Sequence, residues 1–335
     1  TNYFLLFEAG RNGITKFGDS DVAPTDASIT LNQIPHARIR LGQFKYPGSE
    51  EGLQAIHVFN YINFTVAGSQ LLLERFFDGD GSNPNDKNEP NGSVGAYRDI
   101  GIQVFDWVNY LGWEHSYAVM LGNGNGINRT DDNNNKNYYL YWASEKIFGG
   151  KGGRREGLKF FGWYQKGDRT LKYVNNVADE EDFERERWGF GTTLRKGKWR
   201  GAAEYFKADG MIFNGTDGGA VPGNVGANGV TASFNMAPKG RADGWYVDLG
   251  YRVIPRLELD VRYDYLDRLK NDDAQEREFD NLTLGLQWFF NKKTRALVNY
   301  EIRNAKAPNA SSSAPPNQIL DEFDNRLALQ VLTIF

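Results

Sequence analysis

Apolar and polar residues alternate along several short stretches of this chain. In Leu257–Tyr265 the odd positions are apolar or aromatic and the even positions are all charged. The stretches Trp245–Val253 and Leu282–Phe290 repeat the alternation. A period of two residues predicts β-strands with one apolar face and one polar face. A soluble β-sandwich and a membrane barrel with a polar lumen both satisfy this pattern, so the alternation alone does not choose between them.

The connections between these strands favour the barrel. Ile254–Arg256 and Asn291–Lys293 are tight turns, whereas Asp267–Phe279 and Ala305–Asp324 are long polar loops. Short turns on one side and long loops on the other are typical of outer-membrane barrels, and a Greek-key sandwich would not keep this order. We therefore predict an all-β fold, a transmembrane antiparallel β-barrel of fourteen strands that forms a single domain over residues 1–335. The predicted strands are Tyr3–Asn12, Ala27–Ile34, Ala37–Lys45, Tyr97–Trp107, Trp113–Leu121, Asn137–Ile147, Leu158–Lys166, Arg187–Leu194, Trp199–Lys207, Trp245–Val253, Leu257–Leu266, Asn281–Phe290, Arg295–Arg303 and Asn325–Phe335.

The last predicted strand ends in an aromatic residue, Phe335, with apolar residues at alternate positions before it. Such a strand resembles the closing strand of Gram-negative outer-membrane barrels, where it is also the signal read by the assembly machinery. The alternative is an ordinary C-terminal strand of a soluble sandwich. On the barrel interpretation, the protein lies in the Gram-negative outer membrane in contact with lipid, and its last strand pairs with its first.

Composition narrows the classes of protein that remain. The chain has no Cys, which excludes disulfides and Cys-zinc sites. The mean hydropathy of −0.59 and the lack of a long apolar run argue against membrane helices but not against a barrel, in which only alternate residues face lipid. A net charge of −4 offers no general basic surface for nucleic acid, so we predict no such partner. Aromatic residues near the strand ends fit interfacial girdles; the alternative is the core of a soluble fold.

The connection over residues 46–96 is far longer than the others and carries an apolar section before a polar tip. A connection of this length has a functional or packing reason in a compact protein. We predict that residues 46–96 fold into the barrel and narrow its channel. The alternative is that they cover a neighbouring subunit.

Three motifs in the first part of the chain resemble the phosphate-selective porin O and P family. They are Arg38–Pro47 (Arg-Ile-Arg-Leu-Gly-Gln-Phe-Lys-Tyr-Pro), Tyr97–Ile102 and Leu121–Gly126, in the family's order and spacing over roughly the first 130 residues. The remainder is similar only in its strand pattern. The resemblance implies a homotrimeric outer-membrane diffusion channel with a constriction of basic side chains. That family usually has sixteen strands, so either two strands before Tyr3 are missing here or this is a fourteen-stranded relative.

Charged side chains on the polar faces are the candidates for contact with solutes. If Ile39 and Leu41 face outward, Arg38 and Arg40 project into the lumen, where a guanidinium suits phosphate or carboxylate oxygens. Acidic residues share the lumen, so we predict a weak to moderate anion preference. The alternative for any one arginine is a paired wall residue without a role in selectivity. The predicted lumen and constriction residues are Arg38, Arg40, Arg75, Arg98, Arg252, Arg262, Glu258 and Asp260, and further inward arginines include Arg187, Arg195, Arg200, Arg295, Arg303 and Arg326.

No set of residues in the sequence points to catalysis, because the three histidines are scattered and lack an evident Ser or Asp partner. We therefore predict that the protein is not an enzyme and has no cofactor. Calcium is the alternative, since one acidic stretch has the ligand spacing of an EF-hand loop, although Asn83 replaces its glycine. The candidate calcium ligands are Asp78, Asp80, Asp86 and Glu89.

The function predicted from these observations is an outer-membrane porin for passive diffusion of small hydrophilic solutes, anionic or polar. The alternative is a barrel that sheathes a partner protein such as an electron-transfer cytochrome. A wide lumen without an infolded loop would favour that alternative.

Overall fold

The computed structural model describes residues 1–9, 22–73, 96–128, 130–131, 133–172, 180–213, 225–226, 229–230, 236–321 and 323–334. Fourteen strands form one antiparallel sheet in which each strand pairs with the next along the chain. This confirms the predicted strand count and order. The strands are β1 Asn2–Ala9, β2 Val22–Leu31, β3 Arg38–Lys45, β4 Arg98–Tyr110, β5 Trp113–Gly122, β6 Asn137–Gly149, β7 Glu156–Lys172, β8 Glu180–Lys196, β9 Trp199–Asp209, β10 Arg241–Ile254, β11 Leu257–Arg268, β12 Arg277–Phe289, β13 Thr294–Lys306 and β14 Arg326–Thr333.

The sheet has a short-turn end and a long-loop end, as the connection lengths predict. The short turns are residues 32–37, 111–112, 150–155, 197–198, 255–256 and 290–293. Three of these turns have two residues, and the one between β4 and β5 consists of Leu111 and Gly112, whose φ angles of 50° and 74° are the left-handed pair that a type I′ turn requires.

The two longest strands differ from their predicted bounds. β7 and β8 each have 17 residues and remain paired from Gly157 opposite Arg195 to Lys172 opposite Glu180. The predicted strands Leu158–Lys166 and Arg187–Leu194 leave residues 167–186 as a loop, and this prediction is wrong for most of that length. Beyond Lys166 the apolar alternation fades, but the pairing continues with polar cross-strand contacts, such as Lys166 Nζ to Glu184 Oε2 at 2.7 Å.

The polarity of the sheet is inverted relative to a soluble protein. On β11 the charged residues Glu258, Asp260 and Arg262 are buried, whereas the intervening Leu259 and Val261 are 47% and 38% exposed. A soluble sandwich would bury the apolar row and expose the charged row. The observed arrangement is the one that lipid outside and a polar interior require.

The sheet is open, because no ladder joins β1 to β14 among the described residues. The pairing predicted between the first and last strands is therefore absent. Each of these edge strands has eight residues, so it offers fewer ladder hydrogen bonds than most of the other strands. Phe335, the predicted assembly signal, lies outside the described residues.

The few helices lie in the connections. They are α1 Glu50–Leu53, a π-helical turn Gly68–Leu72 and α2 Pro315–Leu320. Two hairpins of two-residue strands, Ile212–Phe213 with Met236–Ala237 and Val225–Gly226 with Gly229–Val230, form within the connection between β9 and β10. In the described part of the chain, no helix is long and apolar enough to cross a membrane.

Candidate solute pathway

Residues 46–73, here called the inner segment, lie against the buried polar face of β8–β13. Two wall carboxylates and one wall amide accept hydrogen bonds from its backbone. The distances are 3.2 Å from Glu50 N to Glu204 Oε2, 2.7 Å from Val66 N to Asp264 Oδ1 and 2.7 Å from Ile62 N to Asn299 Oδ1. Buried backbone amides that have no acceptor within a helix or a strand need such partners.

Wall arginines bind the carbonyl groups of the same segment. Arg187 Nε donates to Leu71 O at 3.0 Å, and Arg262 Nη1 donates to Asn63 O at 3.0 Å. Arg295 donates to Phe59 O. A hydrogen bond to a charged group typically contributes about 1.5–3 kcal/mol. Charged side chains of the strands therefore bind the backbone of the inner segment. Carboxylates accept hydrogen bonds from its N–H groups, and arginines donate hydrogen bonds to its carbonyl oxygens.

Apolar side chains complete this contact. Val66, Ala67, Leu71 and Leu72 are buried in one cluster with wall residues. The wall residues in that cluster include Phe206, Tyr246 and Leu266. The apolar section of the long connection is thus explained by packing inside the sheet.

Glu51 belongs to the inner segment, and its side chain is buried between Thr65 of the same segment and Arg262 of β11. Its carboxylate accepts a hydrogen bond from Thr65 N at 3.0 Å and lies 3.6 Å from Arg262 Nη1. Burial raises the pKa of Glu51 to about 7, while the charge of Arg262 and the hydrogen bonds from Thr65 oppose this rise. Arg262 is held in turn by Asp264 and by the ring of Tyr61, whose centroid is 4.4 Å from the guanidinium carbon.

A cavity of about 540 Å³, here called the chamber, separates part of the inner segment from the wall. Glu50, Tyr61, Lys159, Arg195, Arg200 and Arg262 are among its lining residues. A second cavity of about 280 Å³, here called the mouth, lies at the short-turn end. Its lining includes Arg154, Arg195, Arg200, Arg252, Glu258 and Phe289. Since Arg195 and Arg200 border both cavities, the chamber and the mouth adjoin at these two side chains, and this boundary is here called the passage.

Arg200 is fully engaged with carboxylates. It donates to Asp248, to Glu258 Oε1 at 2.9 Å and to Asp260 Oδ1 at 2.7 Å. Glu258 also accepts from Arg252 Nη2 at 2.7 Å. This network fixes the side chains between the two cavities and compensates most of their charge.

Arg195 differs from its neighbours. Among the described residues, its side chain forms no hydrogen bond and no ion pair within 4 Å, although it borders both cavities. Arg154 lies beside it in the turn between β6 and β7 and donates to Val58 O at 3.2 Å. Burial and the nearby guanidiniums of Arg295 and Arg195 lower the pKa of Arg154 to about 9. The lining of the mouth carries five basic side chains and two acidic ones, so its formal charge is positive.

The structure brings together part of the predicted set of lumen residues. Arg252 and Glu258 line the mouth, Arg262 lines the chamber, and Asp260 contacts Arg200 between them. Arg38, Arg40 and Arg98 lie elsewhere on the wall and border neither cavity. The remaining predicted positions, Arg75 and the calcium candidates Asp78, Asp80, Asp86 and Glu89, lie outside the described residues.

The arginines outside this group have local partners. Arg98 Nη2 is 2.9 Å from Asp26 Oδ2, and Arg38 Nε is 3.6 Å from Asp106 Oδ1. Arg40 lies over the ring of Phe105, 4.6 Å from its centroid. In the part of the chain that the structure describes, no group of three or more His, Asp or Glu side chains could hold a metal ion.

Arg195, which borders both cavities, and Arg154, which lines the mouth, were not singled out by the sequence pattern. Alternation predicts that Arg195 faces inward, but nothing in the sequence distinguishes it from the paired arginines. Arg154 lies in a turn, where alternation gives no orientation. The only sequence signal for it is the adjacent pair Arg154-Arg155 after two glycines, which marks a basic turn.

Comparison with known proteins agrees with this architecture. The family model described as phosphate-selective porin O and P matches residues 108–314. Two of the three motifs that resemble the family, at 38–47 and 97–102, therefore precede the matched range. The match instead covers most of the chain beyond residue 130, where only the strand pattern resembles the family. A search of curated proteins with the chain finds no match.

Solved porin structures are similar to this chain at low sequence identity. OmpF of Salmonella typhi, in complex with daunomycin, has 15% identity and a TM-score of 0.57, over 93% of this chain and 78% of that chain. An anion-selective porin from Comamonas acidovorans has 12% identity and a TM-score of 0.48, over 84% and 67% of the two chains. Because the family model matches more than half of its residues, the chain belongs to the phosphate-selective porin O and P family of outer-membrane porins.

Proposed function

We propose that this porin passes small hydrophilic solutes by passive diffusion through the chamber and the mouth, with a weak to moderate preference for anions. The observation that carries the proposal is the position of Arg195, which borders both cavities without a close partner in the described residues. A charged side chain at a passage sets the preference of a channel for ions of opposite sign. The paired charges around Arg195 keep that preference modest.

The inner segment supports a second part of the proposal, that residues 46–96 belong to the same domain as the barrel and narrow its lumen. Its described part, residues 46–73, packs on the polar face of the sheet through backbone hydrogen bonds and apolar side chains. A segment held in this way reduces the space inside the sheet. This occupancy also argues against the sheath for a partner protein, which needs a wide lumen.

Family membership indicates a channel rather than an enzyme. We extend this to the proposal that the chain performs no chemical step and works without a cofactor. We also propose a homotrimer, as membership of this family implies. Chemical cross-linking of the protein in membranes would test the trimer, and a ladder that stops at the monomer would contradict it.

Planar-bilayer recording tests the channel. We expect stepwise conductance from the purified protein and a reversal potential in a KCl gradient that indicates more permeant Cl⁻ than K⁺. Protein that inserts into bilayers without conducting would refute the porin mechanism. A cation-selective reversal potential would refute only the anion preference.

The substitution Arg195→Gln tests the residue that carries the proposal. We expect the ratio of anion to cation permeability to fall by roughly twofold to fivefold, corresponding to about 0.4–1 kcal/mol for a partly exposed charge. Lys146→Gln is the matched control, because Lys146 lies on β6 near the same end but opposite Leu158, in the outward row. An equal change in both variants would mean that surface charge, and not the passage, sets the selectivity.

A further inference from the structure

The short-turn end of the sheet is basic. Its six short turns contain seven basic residues and no acidic residue. The basic residues are Lys151, Arg154, Arg155, Lys198, Arg256, Lys292 and Lys293. The long-loop end is different, since residues 269–276 carry three acids against one lysine. This long loop is therefore acidic, whereas the short-turn end is basic.

Most of these cations are exposed and lack an anionic partner. Arg154 and Arg155 bind the inner segment and the wall acids Glu114 and Glu145, respectively. The other five are exposed, and in the described part of the chain none of them forms an ion pair. Several unpaired cations at one end attract an anionic surface.

Two lysines at this end stand over aromatic rings on the outward, lipid-facing side. Lys196 Nζ is 5.3 Å from the ring centroid of Phe148, and Lys198 Nζ is 5.9 Å from that of Tyr251. The Tyr251 ring packs against Trp199, with centroids 4.5 Å apart. Trp199 is 57% exposed. These five residues are here called the girdle cluster.

The girdle cluster has the composition of a site at a membrane surface. Aromatic rings favour the level of the lipid headgroups, and lysines beside them attract anionic headgroups. The carboxylate of Glu156 accepts a hydrogen bond from Gly197 N in the same turn, at 3.0 Å, and lines the mouth. Lys198 and Trp199 also border the mouth, whereas Phe148, Lys196 and Tyr251 do not.

We propose that the girdle cluster binds the headgroup phosphate of an anionic phospholipid in the leaflet at the short-turn end, which is the periplasmic leaflet of the outer membrane. Lys196 and Lys198 contact the phosphate, and Phe148, Trp199 and Tyr251 pack against the glycerol and upper acyl region. The unpaired lysines of the turn between β12 and β13 add to the attraction at longer range. Phe148, Lys196 and Tyr251 border neither cavity, so most of the site lies outside the solute pathway.

Native mass spectrometry of the full chain tests this proposal. The protein is extracted from vesicles of equal parts phosphatidylcholine and phosphatidylglycerol, and the ratio of the two bound lipids is measured. We expect an excess of bound phosphatidylglycerol, which falls by roughly fivefold for each lysine removed in Lys196→Gln and Lys198→Gln. The double variant Lys196→Arg with Lys198→Arg should keep the excess, because it keeps the charge.

The matched control is Lys166→Gln with Lys306→Gln, which removes two charges toward the long-loop end, where both lysines pair with acids. This control should leave the lipid ratio unchanged. Equal binding of the two lipids by the parent protein would overturn the proposal, and so would an equal fall in the control. Displacement of the bound lipid by inorganic phosphate would likewise overturn it, because the cluster would then be a site for free anions.

Discussion

Arginines on two walls of the sheet make different contacts. On the far wall, here β9–β13, Arg262 lies between two carboxylates, stacks on Tyr61 and donates to a carbonyl of the inner segment. On the near wall, here β3 and β4, Arg38 and Arg40 lie over aromatic rings, and only Arg38 has a carboxylate, at 3.6 Å. The far wall therefore uses arginine to hold the protein's own backbone. On the near wall, Arg98 is likewise paired with Asp26, but Arg38 and Arg40 are less committed to protein partners than Arg262 is.

The comparison separates two roles that the sequence pattern treats as one. Alternation places all these arginines on the polar face, but it does not say what each one meets there. The partners of Arg262 come from the inner segment and from its own strand, and Glu51 is more than 200 positions away in sequence. A wall residue with such partners contributes mainly to structure, whereas one without them remains available to a solute.

The substitution Arg262→Ala is expected to have the largest effect on the stability of the folded protein. This substitution removes the cation between Glu51 and Asp264 and leaves buried carboxylates uncompensated, which costs about 3–5 kcal/mol. Urea unfolding in detergent measures the loss of stability, and bilayer recording should show larger and noisier conductance as the inner segment loosens.

The near-wall substitution Arg38→Ala is the control for Arg262→Ala. Because Arg38 is partly exposed and its carboxylate partner is 3.6 Å away, we expect a loss below about 1 kcal/mol. Similar losses for the two substitutions would remove the distinction between the walls.

The next largest effect is the pH dependence of the free energy of unfolding that results from Glu51. Its pKa of about 7 in the folded protein exceeds its ordinary value of 4.5, so the folded state retains the proton while the unfolded state has released it. The proton on Glu51 therefore contributes to the free energy of unfolding. This contribution is fully present below pH 4.5 and is lost as the pH rises to about 7, by an amount on the order of 3 kcal/mol.

Urea unfolding across this pH range measures the effect, with Glu51→Gln as the matched variant. The glutamine keeps the size of the side chain and cannot ionise, so its stability should vary less between pH 4.5 and about 7. The same slope in both proteins would assign the pH dependence to other groups.

Much of the fold follows from local sequence, and the exceptions have physical causes. The strand count and the alternation of short and long connections follow from the period of two and from turn residues. The extensions of β7 and β8 were missed because strands above the bilayer need no apolar row, so residues such as Thr170 and Asp182 pair through polar side chains.

The passage was harder to predict than the fold. The carboxylates around Arg200 come from β10 and β11 and are as far as 60 positions away in sequence, so only the register of the strands brings them together. Arg154 binds the inner segment from a turn, where the two-residue alternation of strands does not predict the direction of a side chain. The apolar residues of the inner segment indicate that it packs against other parts of the chain, whereas its particular hydrogen bonds could not be predicted from the sequence.

The smallest effect is expected from the near wall and concerns selectivity. Removing both charges with Arg38→Gln and Arg40→Gln should lower the anion preference by roughly twofold, about 0.4 kcal/mol, because partly solvated charges act weakly on a passing ion. Reversal potentials in a KCl gradient measure this change, and Arg195→Gln recorded beside it gives the larger effect at the passage. Unchanged selectivity in the double variant would assign the filter to the far wall and the mouth alone. A fall larger than that of Arg195→Gln would instead place the solute path along the near wall, beside Phe105 and Trp107, because those rings hold the two guanidiniums in position.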